Sequence, residues 1–205
     1  PSHGGIAFHD RDGVLNIGSP NYINSPDEFV ELPDAAASVG RLRRAGYKIC
    51  VVTNQSAILR GLWDDTQLHK IHNHMRKEFL KQDEDAHFDL ILACPHRHRD
   101  RCHCRKPMPG MLRFGERCVR EGTSQEIGEY VGSLLPNDGK VDWWGEKPNP
   151  INSHDCMVGD RGSDMGAGWA CGLRLFQTDE KKGIGAVIER ILDSKDSGDS
   201  FNPVR

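Results

Sequence analysis

A doubly wound parallel α/β sheet with helices on both faces is the fold this sequence predicts. Three observations predict it. Short apolar runs at 5–8, 48–53, 88–93, 154–158 and 173–176 read as buried strands. Stretches with helical spacing alternate with them. Two aspartates, Asp10 and Asp12, follow the first run directly, and in open α/β sheets the carboxyl ends of the strands face the ligand crevice.

The first strand, Gly5-Ile6-Ala7-Phe8, runs into His9-Asp10-Arg11-Asp12-Gly13-Val14-Leu15-Asn16. Asp10 and Asp12 lie two apart, so in an extended strand end they point to the same side. Gly13 permits the tight turn that must follow. Residues 17–31, with Pro20, Asn21, Ser25 and Pro26, form a polar loop. A helix is predicted over 33–45, with Pro33 and Asp34 at its start, Val39 and Leu42 inward and Gly46 as its stop. The second strand, 48–53, ends in Asn54-Gln55-Ser56. Leu68, Ile71, Met75 and Phe79 give 66–82 a helical apolar face, and its histidines His69, His72 and His74 are read as helix-surface residues. The third strand, 88–93, leads into a cysteine cluster, and a helix follows over 109–121.

The segment 122–153 is rich in Gly, Asn and Pro and contains Trp143-Trp144. A structureless loop of that length inside a compact domain is unusual, so it is expected to be a folded insertion or an arm, its tryptophans packing locally or mediating self-association. The fourth strand, 154–158, precedes Gly159-Asp160; a short helix over 164–170, a fifth strand over 173–176 and a last helix over 184–192 complete the pattern. The chain is thus expected to be a single domain over 1–193, with the insertion at 122–153 and a flexible, Ser/Asp/Gly-rich tail at 194–205.

The 205 residues suit one domain. A net charge of -3 gives no support to a generic nucleic-acid or membrane-surface binder. No apolar run approaches the roughly 20 residues a membrane helix needs, and no signal peptide is visible at the N-terminus. The seven cysteines are odd in number, and three of them lie within 94–104, which points to a metal site in a reducing cytoplasm rather than to a disulfide framework.

The strand ends together carry Asp10, Asp12, Thr53, Asn54, Arg105, Lys106, Asp160 and, one helical turn further, Asp164. Carboxylates in such number repel one another and need a cation, and hard oxygen ligands suit Mg²⁺. Magnesium beside a lysine and a hydroxyl is an arrangement for phosphate. One aspartate of the first pair can attack phosphorus, and the other can protonate the leaving oxygen and later deprotonate water, while metal and lysine offset the charge of an anionic nucleophile meeting an anionic phosphate. Separately, Cys94, Cys102 and Cys104 with one histidine make a closed tetrahedral set for structural Zn²⁺. His96, His98 and His103 all compete for the histidine position. Arg97, Arg99, Arg101, Arg105 and Lys106 make this loop basic, fit for a second, non-reacting phosphate or for nucleic acid.

Asp10-Arg11-Asp12-Gly13-Val14-Leu15-Asn16, Thr53-Asn54-Gln55-Ser56, Lys106 and Gly159-Asp160-Arg161-Gly162-Ser163-Asp164 resemble, in order, the four motifs of the haloacid dehalogenase superfamily. Cys94-Pro95-His96 and Cys102-His103-Cys104-Arg105-Lys106-Pro107 are similar to the D-glycero-D-manno-heptose-1,7-bisphosphate phosphatase and histidinol-phosphatase group within it. The resemblance implies a Rossmann-like sheet without a large cap domain and with a zinc-binding loop. It implies Asp10 as nucleophile and Asp12 as general acid/base. Asp10, the Asp12 carbonyl and Asp160 would hold Mg²⁺, and Cys94, His96, Cys102 and Cys104 would hold Zn²⁺. Thr53, Asn54 and Lys106 would bind the transferring phosphoryl group. Gln55, Ser56, Arg105 and Arg161 would contact the substrate, and Asp164 would orient Lys106 or a metal-bound water. The expected activity is hydrolysis of a small sugar phosphate, foremost the C7 phosphate of the heptose bisphosphate. Histidinol phosphate or another small ester is the alternative, followed by a nucleic-acid 3′-phosphatase (which shares the Asp-x-Asp-Gly and Thr-Asn-Gln pattern) or a non-catalytic zinc module. The expected partner is a small phosphorylated molecule, with no nucleic acid and no membrane; monomer and homo-oligomer both stay open.

Overall fold

The computed structural model describes residues 2–122, 128–132 and 140–205. Six parallel strands form one sheet: β1 (Ile6–His9), β2 (Lys48–Asn54), β3 (Leu90–Cys94), β4 (Glu129–Val131), β5 (Cys156–Gly159) and β6 (Arg174–Gln177). Their order is β4-β3-β2-β1-β5-β6. The chain therefore builds outward from β1 to one edge, returns, and builds outward to the other. The switch between β1 and β5 opens a crevice at their carboxyl ends, the place where such sheets hold ligands.

Side-chain alternation divides the core. Ala7, Ile49, Val51, Ile91 and Val158 face α1 (Ala35–Arg44), α2 (Asp65–Gln82) and α5 (Ile188–Leu192). Their strand neighbours Ile6, Phe8, Cys50, Val52, Leu90 and Leu92 face α3 (Gly110–Glu121) and α4 (Gly162–Ala170). Both faces of every central strand are buried, which is why those strands read as continuous apolar runs. The Asp64 side chain caps α2 by accepting from the Gln67 N–H. Gly46, at φ +103°, ends the turn after α1.

Three expectations change. The segment 122–153 contributes β4, paired in parallel with β3 at Ile91–Ala93, and Trp143 stacks on Trp169 of α4 with ring centroids 6.0 Å apart. The expected helix over 184–192 divides into a short 3₁₀ turn, Gly183–Ala186, and α5. The tail is anchored: Arg190 pairs with Asp196 and Asp199, the Asp199 N–H donates to Leu175 O, and the Gln177 N–H donates to the Asp199 carboxylate. Its acidic residues meet the arginine and the open edge of β6, which removes the flexibility expected of the tail. Among the described residues, no helix is long and apolar enough to cross a membrane.

Candidate active site

The register of the sheet assembles the site. His9 pairs with Val51 on β2 and Val158 on β5, so the next residue, Asp10, stands between two strand ends, its N–H donating to Val158 O at 3.0 Å. Gly13, at φ +79°, turns the chain back so tightly that a Cβ there would lie 2.6 Å from Asp160 Oδ2. Only glycine lets the turn after Asp12 approach the carboxylate that follows β5.

Lys106 is nearly sealed from solvent, yet its Nζ lies 3.0 Å from Asp10 Oδ1 and 2.7 Å from Asp164 Oδ1. Burial pushes the lysine down, but Asp10 and Asp164 outweigh it and hold the ammonium charged. Burial, together with the Asp164 charge, pushes the Asp10 carboxyl up to about 7 and that of Asp160 to about 6. One lysine does not balance three acids. Asp10, Asp160 and Asp164 each place an oxygen within 4.8 Å of the others, and Asp160 Oδ1 is buried with no hydrogen-bond partner among the described residues. Oxygens bound to one Mg²⁺ at about 2.1 Å lie about 3–4 Å apart. The orphaned oxygen and the hard donor set therefore fit that ion. By geometry Asp164 belongs to the acidic group, although it also takes the lysine.

Asp12 carries the most elaborate support. Burial pushes its carboxyl up, but the Arg11 guanidinium and hydrogen bonds from Asn16, Arg11 and Gln55 bring it below the ordinary carboxylate range. Asn16 Nδ2 donates to Oδ1 at 2.9 Å, and Gln55 Nε2 donates to Oδ2 at 3.4 Å and to Thr53 Oγ1 at 2.9 Å. Gln55, expected against the substrate, is instead buried as a bridge between Thr53 and Asp12. Asn54, expected at the phosphoryl group, clamps the lysine loop: its Oδ1 accepts from the Lys106 N–H at 3.1 Å and its Nδ2 donates to Lys106 O at 3.3 Å. Ser56 lies near Tyr22 and Arg60, each at 3.4 Å. Arg105 reaches back to His96 O at 3.2 Å. Arg161 is exposed, with Asp160 at 3.8 Å, on a cleft of about 490 Å³ that Asp12 and Asp160 also line.

The sulfur cluster begins where β3 ends, at Cys94, which pairs with Asn54 across the sheet. Cys94 Sγ lies 3.0 Å from Cys104 Sγ and 3.6 Å from Cys102 Sγ; His96 Nδ1 lies 3.4 Å from Cys94 Sγ and 3.2 Å from Cys104 Sγ. Thiolates bound at about 2.3 Å around a tetrahedral Zn²⁺ are about 3.8 Å apart, so this donor set is zinc-sized. His98 and His103 are outside the group of four.

His72 departs from the helix-surface position expected of it. It is fully buried, with Nε2 3.0 Å from Arg11 Nη1 and Nδ1 on Glu129 of β4. The signal was present: Leu68, His72, Met75 and Phe79 are spaced four, three and four apart, a single helix face, but a histidine there was assigned to the surface.

A family model described as Polynucleotide kinase 3 phosphatase matches residues 6–134. A heptose-1,7-bisphosphate 7-phosphatase of Neisseria meningitidis is 37% identical over 140 residues, covering 68% of this chain and 72% of that protein. The chain belongs to the heptose-bisphosphate phosphatase family of the haloacid dehalogenase superfamily. A relative of the same name from Pseudomonas aeruginosa is 40% identical over 123 residues, 60% of this chain and 61% of that one. Over the first three curated relatives it matches, the chain spans 61%, 57% and 58% of their lengths. The crystal structure of a D,D-heptose 1,7-bisphosphate phosphatase from B. bronchiseptica, complexed with magnesium and phosphate, superposes with a TM-score of 0.65 at 28% identity, covering 90% of this chain and 85% of that one.

Proposed function

We propose that this chain is a cytoplasmic, Mg²⁺-dependent phosphatase that hydrolyses a small sugar phosphate, with the C7 phosphate of D-glycero-β-D-manno-heptose 1,7-bisphosphate as its substrate. The observation that carries the reading is the meeting of Lys106 with Asp10 and Asp164 at the β1/β5 crevice, with Asp160 beside them. Three distant segments supply that constellation, and it is the one phosphoryl transfer to an aspartate needs.

Asp10 attacks phosphorus, forming an Asp10–O–P bond as the bond to the sugar oxygen breaks. Asp12 gives that oxygen its proton. Held ionised in the free protein, Asp12 gains its proton as the phosphate dianion approaches, because a neighbouring like charge raises a carboxyl's affinity for protons. Asp12 then takes a proton from water, which attacks phosphorus; inorganic phosphate leaves and the Asp10 carboxylate is restored. Lys106 lies along the face where negative charge accumulates. Asp10, Asp160 and the Asp12 carbonyl would hold Mg²⁺, which supplies positive charge against the phosphoryl oxygens. Cys94, His96, Cys102 and Cys104 would hold Zn²⁺ as a structural clamp on the loop carrying Arg105 and Lys106.

A second reading, removal of a 3′-phosphate from nucleic acid, draws support from the description of the matching family model and from a basic hollow lined by Arg97, Arg99, Arg101, Arg105 and Lys140. Under the first reading the same arginines grip the second phosphate of the bisphosphate. Phosphate release from heptose bisphosphate, histidinol phosphate, nucleotides and 3′-phosphorylated DNA, with and without Mg²⁺, decides between them. Metal-dependent release fastest from the heptose bisphosphate is expected; faster release from the DNA would replace the first reading with the second.

A further inference from the structure

Among the described residues, the Arg11 side chain is the largest that is fully shielded from solvent. A buried guanidinium needs acceptors on every side. Its Nε and Nη2 donate to Asp12 Oδ1 at 3.1 and 3.0 Å, Nη2 also meets Oδ2 at 3.3 Å, and Nη1 donates to His72 Nε2 at 3.0 Å. A guanidinium has no acceptor, so His72 Nε2 is the unprotonated nitrogen and Nδ1 carries the hydrogen. That hydrogen points at Glu129, the first residue of β4, whose other oxygen takes His69 Nδ1 at 2.5 Å. The series runs without a break from the carboxylate beside the reacting oxygen, through a buried cation and a buried ring, to the edge strand.

We infer that Arg11, His72 and Glu129 form a positioning chain that holds Asp12 in the one orientation from which it can reach the leaving oxygen. The assignment rests on the phosphatase reading above and adds residues to it. Asn16 and Gln55 each hold Asp12 through a single amide N–H; the guanidinium grips both of its oxygens. The guanidinium is in turn set by the ring, and the ring's tautomer by Glu129. A carboxylate free to rotate would still let substrate bind through Lys106. It would miss the oxygen it must protonate, and a displacement of about 1 Å can cost roughly a hundredfold in rate.

Two isosteric replacements of His72 separate the contacts. Gln reaches as far as Nε2 and offers Arg11 an acceptor; Asn reaches only as far as Nδ1 and leaves Arg11 Nη1 without one. With Mg²⁺ and the primary alkyl phosphate that the wild type hydrolyses best, His72→Asn is expected to lower kcat about tenfold with KM within about threefold. His72→Gln is expected to recover most of that loss. Glu129→Ala should lower kcat in the same way, and the double variant His72→Asn/Glu129→Ala should be no worse than His72→Asn alone, because the carboxylate acts only through the ring. Equal losses in His72→Asn and His72→Gln, additive losses in the double variant, or a wild-type kcat in His72→Asn would each overturn the chain while leaving an active phosphatase. A wild-type protein that releases phosphate from no ester would instead remove the phosphatase reading itself.

Discussion

At the ends of β1 and β5, Asp10, Asp160 and Asp164 gather hard oxygens around a crevice that stays open to solvent through Asp12 and Arg161. Two strands from β1, at the end of β3, Cys94, His96, Cys102 and Cys104 gather three sulfurs and a nitrogen around one another. Both groups are sized for a cation, yet they differ in what surrounds it. The acidic group is short of donors: Asp160 Oδ1 has no hydrogen-bond partner among the described residues, and an octahedral ion there needs ligands beyond these carboxylates. Water and a phosphoryl oxygen can fill those places. The sulfur group already supplies four donors, the full complement of a tetrahedral ion, so nothing else can enter. The first arrangement suits chemistry, and the second suits holding a loop. The two are joined through Asn54, which pairs with Cys94 across the sheet and clamps the Lys106 backbone.

The largest expected effect breaks the acidic side alone. Asp10→Asn keeps the shape but removes the oxygen proposed to attack phosphorus, and should lower the rate of phosphate release by at least about 10³-fold. Zinc content, read by metal analysis of the purified protein, should stay at the wild-type level. A variant that still turns over would detach the nucleophile from Asp10.

Cys102→Ser breaks the other side. With one of four donors gone, zinc content should fall, and because Arg105 and Lys106 follow the cluster directly, kcat should drop by about 10- to 100-fold through misplacement of the lysine. Half-saturation by Mg²⁺, measured as activation of phosphate release, should change by less than about threefold. Full activity in a zinc-free protein would show that the sulfur group does not order the site.

The contrast also explains what could be read without coordinates. Alternating apolar runs announced β1, β2, β3, β5 and β6, and their ends announced the acidic residues, because burial on both faces writes itself into composition. The cysteine spacing was legible for the same reason: donors to one metal must be local or fixed on a strand end. β4 was not legible. Glu129-Tyr130-Val131 is too short to show a period, and it gains its strand geometry from pairing with β3. The roles of Gln55, Asn54 and His72 were missed because each is a polar residue engaged by another part of the fold. Nothing local distinguishes a glutamine that faces a substrate from one that bridges Thr53 and Asp12.

Asn54→Ala tests the join between the two regions. It removes two hydrogen bonds to the Lys106 backbone, each worth about 1 kcal/mol. Stability, measured by urea unfolding, should fall by about 1–2 kcal/mol, and kcat by about tenfold, with zinc retained. Loss of zinc together with activity would instead mean that Asn54 serves the sulfur group by its pairing with Cys94.

Trp143→Ala marks the lower limit of the comparison. Trp143 is only partly buried, and its stacking on Trp169 fastens the arm to α4, the helix that begins beside Asp160 and carries Asp164. Trp169 lies near the far end of that helix, about 7 Å along the axis from Asp164 at 1.5 Å per residue. Losing the stacked pair should lower the urea midpoint by an amount equivalent to about 1 kcal/mol. The acidic group keeps its position, because Asp164 is held at the helix start by the Arg161 N–H at 3.1 Å and by Lys106. Magnesium activation, zinc content and kcat should therefore all match the wild type. A drop in kcat larger than the stability change can explain would mean that α4 transmits the arm's contact to its first turn, and the arm would then belong to the catalytic side.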